Sequence, residues 1–141
     1  MADDQVNALF STSEIASSGL KAENQRIKII AENIANANNT PSAPGQKPYQ
    51  RQVITFKSEF DKALGAYKVK AGNVRNDTAD FIKKYDPSNP AADATGYVLQ
   101  PNVNPLIEMM DMSDAQHAYQ SNLGVIDASR SMIMRTIGII Q

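Results

Sequence analysis

Hydrophobic positions recur with helical spacing near both ends of the chain and lose that spacing in between. Near the start they form a narrow row at seven-residue intervals with one further member on the same side: Leu20, Ile27, Ile30 and Ile34. Such spacing places side chains on one face of an α-helix. It predicts a helix from about Thr12 to Ala37, with a capping box at Ser11–Glu14 and an end at the turn-forming Asn38 and Asn39 before Pro41.

The last part of the chain shows the same spacing more strongly. Asn104 can cap a helix and Pro105 suits its first turn, so the pattern predicts a helix over 105–140. Its apolar members fall into two rows, Met112, Tyr119, Ile126, Ile133 and Ile140 in one and Met109, Leu123 and Ile137 in the other. A seven-residue repeat sustained over this length is typical of a helix that packs lengthwise in a coiled coil.

The length of the second helix bears on what it packs against. At 1.5 Å per residue it would be roughly 54 Å long, whereas a compact globule of this size is about 37 Å across. We therefore expect the terminal helices to pack against helices of other chains. The predicted assembly interface consists of Leu20, Ile27, Ile30, Ile34, Met112, Tyr119, Leu123, Ile126, Ile133, Ile137 and Ile140.

The middle of the chain contains six of the seven prolines and only short strand-like patterns. Strands are expected at 49–56, 67–70, 74–76, 81–85 and 96–100, with a turn at 71–73. The segment 58–66 could instead form a helical turn. The predicted fold class is α+β, with two long terminal α-helices packing as a coiled coil and a small antiparallel β insert between them.

The same pattern divides the chain into three parts. Residues 1–40 are expected to provide the N-terminal helix of the coiled-coil domain, 41–104 a small β-rich middle domain, and 105–141 the C-terminal helix. The first part has three basic and five acidic residues, the second nine and six, and the third two and four. Two acidic ends therefore flank a mildly basic middle.

Composition excludes several classes of protein. The chain has 141 residues, 14 Lys and Arg against 15 Asp and Glu, and no Cys. A net charge of −1 disfavours a polybasic nucleic-acid binder, and the lack of Cys excludes a disulfide scaffold and a thiolate metal site. The sequence shows no secretory signal and no membrane-spanning stretch, so neither cleavage nor direct membrane insertion is expected.

Candidate chemistry in the sequence is sparse. His117 and Asp114 lie three residues apart on the predicted helix and could form a base and its orienting partner, but no nucleophile accompanies them. The adjacent Asp3 and Asp4 could attract a cation, although two carboxylates near a terminus are normally solvated. We expect no enzyme activity, no cofactor, no metal site and no small-molecule substrate.

A cluster of asparagines precedes the first predicted turn. A helix end explains Asn38 and Asn39, because a short amide tolerates left-handed backbone. It explains Asn33 and Asn36 less well, since they lie before the end of the helix. One hypothesis is that these two amides bond the backbone of a neighbouring chain.

Four segments of the sequence carry a resemblance to a known family. The segment 16–20 with Arg26, the run 31–40, and the segment 48–51 resemble the N-terminal part of bacterial flagellar rod and hook proteins. The segment 85–103 and the helix after it resemble, more narrowly, proteins of the proximal rod. The family motif positions are Asn33, Ile34, Ala35, Asn36, Asn38 and Thr40.

This resemblance implies a structural subunit of the flagellar basal-body rod, in the periplasmic space, that assembles through its terminal helices and transmits torque for motility. It implies export by the flagellar type III apparatus without a cleaved signal. The implied partners are other rod proteins, the adaptor between rod and export gate, and further copies of the chain. The alternative is a self-contained soluble helical chaperone or adaptor of the export system, which would bury its own apolar rows.

Overall fold

Two long terminal helices flank six short strands along the sequence. The computed structural model describes the backbone of residues 2–140 and the side chains of residues 6–138. The helices are α1 (Ala2–Asn36) and α2 (Pro105–Ile140), and the strands are β1 (Gln52–Val53), β2 (Phe56–Asp61), β3 (Ala66–Ala71), β4 (Arg75–Asn76), β5 (Ile82–Tyr85) and β6 (Tyr97–Gln100). The terminal helices pack together with antiparallel hairpins between them, which confirms the α+β fold class.

Helix α1 begins ten residues earlier than the sequence predicted. The Ser11 hydroxyl donates to the carbonyl of Asn7 at 3.0 Å, and the Thr12 hydroxyl donates to that of Ala8 at 2.9 Å. These are bonds from residue i to residue i−4 inside a continuous helix, so the predicted capping box at Ser11–Glu14 is wrong. The hydroxyl that can cap a helix can equally bond back to its own preceding turn, and the sequence alone does not distinguish the two.

The start of α2 agrees with the prediction. Pro105 is its first residue. The Asn104 side-chain oxygen accepts the amide of Leu106 at 3.0 Å, and its carbonyl accepts the amide of Glu108 at 3.1 Å. Asn104 is therefore an N-cap, followed by a proline that loses no helical hydrogen bond in this position.

The chain divides into two compact units, and the first contains one hairpin. Unit 1 comprises α1 up to Ile27, residues 55–72, and α2 from Asp114 onward. Strands β2 and β3 pair antiparallel in it, with Phe56 opposite Ala71. The Val69 amide donates to the hydroxyl of Ser18 on α1 at 3.1 Å, so side chains of the helix hold the hairpin.

Helix packing inside unit 1 depends on a close approach at Gly19. This residue is buried, and a Cβ added to it would lie 2.9 Å from the side-chain nitrogen (Nδ2) of Asn122 on α2. The glycine therefore leaves the room that the Asn122 side chain occupies.

Unit 2 contains the remaining four strands. It comprises residues 28–54 and 73–113. Strand β1 pairs antiparallel with β4, and β5 pairs with β6 so that Tyr85 lies opposite Tyr97. Its buried apolar side chains come from α1, strand β6 and the connecting segments: Ile29, Ile30, Ala37, Ala91, Val98 and Val103.

Strand pairing in the middle of the chain differs from the prediction. Strands β3 and β4 were expected to flank a turn at 71–73, but β3 pairs with β2 and β4 pairs with β1. The segment 58–66 is a strand and a turn, not a helical turn. Its turn contains Gly65 at φ +63°, a left-handed backbone conformation that glycine adopts without strain. Edge-to-face contact of Phe60 and Tyr67, with ring centroids 5.1 Å apart, supports this register.

Within the described part of the chain, neither helix contains a stretch apolar enough to span a membrane.

The close approach at Gly19 generates a prediction with a matched control. Gly19→Ala should be neutral or destabilising, because displacement of the Asn122 side chain by the new methyl group costs about 1–3 kcal/mol and offsets a gain of about 1 kcal/mol in helix propensity. Gly124→Ala in α2, where no atom lies within 4 Å of the added Cβ, should stabilise it by about 1 kcal/mol through helix propensity. Urea unfolding followed by circular dichroism measures both. Equal stabilisation by the two substitutions would contradict the Gly19 contact.

The connection between β5 and β6 generates a pH prediction. The Thr95 hydroxyl, at 2.6 Å, and the Tyr97 amide, at 3.0 Å, donate to the Asp93 carboxylate and hold its pKa below the usual range. A lowered pKa in the folded state adds stability above the ordinary aspartate pKa, and this stability is lost as the pH falls through the lowered value. Thr95→Val should raise the Asp93 pKa in a carboxyl NMR titration, whereas Thr40→Val should leave it unchanged.

Candidate functional site

A buried asparagine on α1 is the most densely hydrogen-bonded side chain of unit 2. Asn33 is 1% exposed. Its amide nitrogen donates to the Gln52 carbonyl at 2.8 Å and to the Glu108 carboxylate at 3.0 Å. Its oxygen accepts the Gln52 amide and the Tyr49 hydroxyl, both at 2.9 Å. Both donor hydrogens and both acceptor sites of the amide are therefore used.

These contacts correct the hypothesis drawn from the asparagine cluster. Asn33 bonds the backbone of its own chain at Gln52, 19 residues further on, and not that of a neighbour. Asn36 donates to the Glu32 carbonyl at 2.8 Å within the same helix. The Asn33 side chain therefore joins helix α1 to strand β1, as backbone hydrogen bonds join two neighbouring strands.

The second centre of the site is Glu108, in the first turns of α2. Its side chain is fully buried, and its second oxygen accepts the Arg51 Nε at 2.6 Å. One oxygen therefore bonds Asn33 and the other bonds Arg51. A buried carboxylate is stable only when an opposite charge and hydrogen bonds replace its hydration, and both are present.

Arg51 connects Glu108 to two further carboxylates. Its terminal nitrogens lie 3.3 Å from Asp77 and 3.5 Å from Asp111. Burial disfavours the charged guanidinium, but the hydrogen bond and charge of Glu108, followed by those of Asp77, outweigh burial and raise the Arg51 pKa. We call the three linked side chains the Asn33–Arg51–Glu108 cluster.

The loop before α2 completes the cluster from the other side. The Asn102 oxygen accepts the Arg51 amide at 2.8 Å, and its nitrogen donates to the carbonyls of Asp77 and Ala79 at 3.2 and 2.9 Å. The Asp77 amide donates to the Arg51 carbonyl at 2.7 Å. Strands β1 and β4 have only two residues each, so the ladder between them is short. The hydrogen bonds of the Asn102 side chain add to it and hold the neighbouring segments together.

Tyr49 extends the cluster toward the loop that follows α1. Burial raises the pKa of its hydroxyl, and the charges of Glu32 and Glu108 raise it further. The hydroxyl is therefore a donor and not a base at neutral pH, which matches its bond to the Asn33 oxygen. Every functional group of the cluster has a partner inside the chain, so the arrangement supports a structural role for these residues.

The predicted interface residues have three degrees of exposure. Ile30 is buried, and Leu123 and Ile137 are 44% and 48% exposed. Those that are half-buried are Leu20, Ile27, Ile34, Met112, Tyr119, Ile126 and Ile133. The side chain of Ile140 lies outside the described residues. Their role in assembly stays a prediction.

The most buried row of α2 is polar or small. Glu108 and Ala115 have no exposed surface, Asn122 is half-buried, and Ser129 is 4% exposed. These positions lie one residue before the predicted row of Met109, Leu123 and Ile137, which the structure leaves exposed. The larger side chains of that row are therefore available at the surface of a single chain.

The family motif positions separate in the same way. Asn33 is buried and Asn36 bonds its own helix, while Ile34 is half-buried. Ala35, Asn38 and Thr40 are exposed. His117, the sequence's candidate base, is also exposed on α2.

Sequence reasoning missed the residues that surround Asn33: Tyr49 and Glu108, which bond it, Arg51, which bonds Glu108, and Asn102, which bonds Arg51. The segment 48–51 carries only a resemblance to the family, and Glu108 belongs to none of the apolar rows of the sequence. A charged residue at a helix start next to exposed apolar residues carries no signal of burial. The one usable signal is Asn33 itself, an amide inside a helix where it is not a good helix former.

The cluster generates a prediction about stability. Asn33→Ala should destabilise the chain by about 2–4 kcal/mol, because Gln52, Tyr49 and Glu108 lose the four hydrogen bonds that they make with the Asn33 side chain. Asn36→Ala is the matched control on the same helix, since it removes only two local bonds, to the Glu32 carbonyl and from the Asn39 side chain, and should change stability by less than about 1 kcal/mol. Denaturant unfolding followed by tyrosine fluorescence compares the two. Similar effects of both substitutions would contradict the contacts at Asn33.

Two family models match the ends of the chain. Residues 14–43 match the model described as "Flagella basal body rod protein". Residues 94–139 match the model described as "Flagellar basal body rod FlgEFG protein C-terminal". The first match includes Asn33 and the second includes Glu108, and these two side chains are joined by a hydrogen bond.

Curated relatives cover almost the whole chain. A flagellar basal-body rod protein FlgC of Agrobacterium fabrum is 45% identical over 136 residues, which are 96% of this chain and 98% of the relative. FlgC proteins of Escherichia coli O6:H1 and Salmonella typhimurium are 35% and 34% identical over 134 residues, 95% of this chain and 99% of each relative. The chain belongs to the FlgC family of flagellar basal-body rod proteins.

Proposed function

We propose that the chain joins the rod through apolar side chains of its terminal helices, half-buried along α1 and largely exposed along α2, and transmits torque through that packing. Membership of the family makes it a structural, non-enzymatic subunit of the flagellar basal-body rod, which assembles with other rod subunits. This leaves the alternative of a self-contained export chaperone without support. What the proposal adds is which surfaces make the contacts.

The observation that carries the proposal is the exposure of large apolar side chains along α2. On the described part of this helix they are Leu106, Ile107, Met109, Met110, Leu123, Val125, Met132, Met134 and Ile137. Single exposed apolar residues are common on soluble proteins, but Met109, Leu123, Met134 and Ile137 fall on one face of the helix, and such a series marks a contact surface. Burying each such side chain contributes about 1.5–3 kcal/mol, so a few of them suffice to drive assembly.

The Asn33–Arg51–Glu108 cluster also supports the proposal, because it bears on the transmission of torque. It fixes the end of α1 and the start of α2 within one chain. A subunit that passes torque to its neighbours needs helices that do not slide when one of them is pushed. Directional hydrogen bonds resist such sliding better than apolar contacts do, because their energy depends on distance and angle.

The neighbours that we propose are other rod proteins, the adaptor between rod and export gate, and further copies of the chain. The flagellar rod is the site of assembly.

The proposal predicts an asymmetry between two faces of α2. Leu123→Asp should reduce incorporation into basal bodies and swimming about tenfold or more, because a carboxylate replaces a leucine that neighbours bury. Ser121→Asp is the control, since it places the same charge on an exposed position of the same helix facing away from Leu123. Both variants are expressed in a strain that lacks the wild-type chain, and basal bodies are isolated and probed for it.

Circular dichroism of the two purified variants should be alike, because neither position is buried in the single chain. Incorporation of Leu123→Asp at the level of Ser121→Asp would contradict the role of this row in assembly.

A further inference from the structure

A carboxylate is buried on the side of α1 that packs against α2 in unit 1. Glu23 is 8% exposed. It follows Gly19 by four residues, about one helical turn, and Gly19 is where α1 approaches the Asn122 side chain of α2. Ala16, seven residues before Glu23 on the same side of the helix, is also buried. Glu23 therefore lies among small residues on the face of α1 that meets the other terminal helix.

One oxygen of this carboxylate has no hydrogen-bond partner. Among the side chains of residues 6–138, Oε2 of Glu23 is the buried polar atom that makes no hydrogen bond. Buried polar atoms in proteins are nearly all hydrogen-bonded, because an unpartnered one gives up its hydration without compensation. Glu108, by contrast, bonds Asn33 with one oxygen and Arg51 with the other. Both carboxylates are buried, but only that of Glu108 has a partner for each oxygen.

The counter-charge beside Glu23 is weak. A terminal nitrogen of Arg26 lies 3.9 Å from Oε2, which is beyond hydrogen-bond distance, and the Arg26 side chain is partly exposed. Ion pairs between residues three apart on a helix contribute little, and exposure to solvent weakens them further. In the other buried carboxylate, Arg51 approaches Glu108 to 2.6 Å. The more distant guanidinium of Arg26 does not replace the hydration that Glu23 gives up on folding.

Among the described residues of unit 1, the titratable groups on the elements packed against α1 give Oε2 no hydrogen bond. On α2, Tyr119 is half-buried and the others are exposed: Asp114, His117, Asp127, Arg130 and Arg135. On the hairpin of β2 and β3, three are exposed and the rest form ion pairs: Lys57, Lys62 and Tyr67 are exposed, Lys68 pairs with Glu14 and Asp61, and Lys70 pairs with Glu59.

Burial is accordingly the main influence on the Glu23 carboxyl. It raises the pKa of Glu23 above the ordinary glutamate value, and the charge of Arg26 opposes this by a smaller amount. In the unfolded chain the same carboxyl lies in water and has its ordinary pKa. The neutral form of Glu23 therefore suits the folded chain better than the charged form does.

We propose that Glu23 makes the packing of α1 against α2 in unit 1 sensitive to pH. Its side chain binds a proton from solvent more readily when the two helices are packed than when they are apart. The stability that this provides is complete below the ordinary glutamate pKa and is lost as the pH rises through the raised value. The sign is opposite to that of Asp93, whose lowered pKa adds stability at higher pH. Charged Glu23 thus makes the terminal helices easier to separate at neutral pH than in mild acid.

Glu23→Gln tests the inference, because the amide has nearly the size of the carboxyl and carries no charge at any pH. Thermal unfolding of the dilute, unassembled chain is followed by circular dichroism at pH 7 and at pH 4, for the wild-type chain and the variant. We expect Glu23→Gln to raise the Tm at pH 7 by about 2–8 °C. At pH 4 the increase should be less than half as large, since the wild-type carboxyl is then largely protonated in both states.

Asp114→Asn is the matched control, since it removes one carboxylate from an exposed position of α2 in the same unit. It should shift the Tm by less than about 2 °C at both pH values, because exposed substitutions have small effects. An increase from Glu23→Gln that is equal at the two pH values, or a decrease at pH 7, would overturn the inference.

A carboxyl NMR titration of the wild-type chain measures the same property without a substitution. Glu23 should titrate above the ordinary glutamate value. Titration at or below that value would show that water or a donor reaches Oε2, and would overturn the inference even if Glu23→Gln fails to fold. The proposed function is tested separately, because Glu23 is buried and belongs to none of the apolar rows proposed to contact neighbouring subunits.

Discussion

The carboxylate of Glu108 is fully buried, and the arrangement of unit 2 follows from what that burial requires. Removing an ionised group from water costs several kcal/mol unless an opposite charge and hydrogen bonds compensate. Arg51 supplies the charge and Asn33 supplies a donor hydrogen. The end of α1, strand β1 and the start of α2 therefore lie where these two side chains can reach one oxygen each.

A buried polar cluster of this kind specifies geometry more than it adds stability. Replacing such a cluster with well-packed apolar residues is often neutral or stabilising, while removing one partner of its buried ion pair costs about 3–5 kcal/mol. Apolar side chains can slide past one another, whereas the bonds of Asn33 to Gln52 fix which residue of the loop lies beside the helix. We infer that the cluster sets the register of the subunit's segments before the subunit meets its neighbours.

The distribution of side chains on α2 complements this internal order. Its innermost row is Glu108, Ala115, Asn122 and Ser129, which are charged, small or polar. Its larger apolar residues lie one position away and remain exposed, as Met109 and Leu123 do. The chain therefore uses little of its apolar surface on itself. An assembly subunit needs that surplus, since the energy for association comes from surface that the single chain leaves open.

Sequence patterns predicted the elements whose signals are local. The Asn104 cap and Pro105 located the start of α2 to the residue, because both act on groups within one turn. The start of α1 was wrong, since Ser11 bonds back into the helix. Strand partners were also wrong, because short strands carry too few residues to specify a register.

The centre of the candidate site could not be predicted for a different reason. Asn33 and Glu108 are 75 residues apart, and neither type of residue is normally buried. The motif marked Asn33, but the hypothesis assigned its amide to a neighbouring chain. Burial of a charge is a property of the packed structure, so the partner of Glu108 becomes visible only when the helices and the loop are brought together.

Hydrogen exchange of the Gln52 amide in dilute, unassembled chain tests the central claim most directly. This amide donates to the Asn33 side chain, so its protection reports the cluster itself. We predict slow exchange, with an opening free energy equal to that of the α1 amides around Ile30, because the cluster and the helix end open together. Fast exchange of the Gln52 amide in the single chain, with protection only after assembly into rods, would contradict this claim. It would show that the cluster forms only when subunits contact one another.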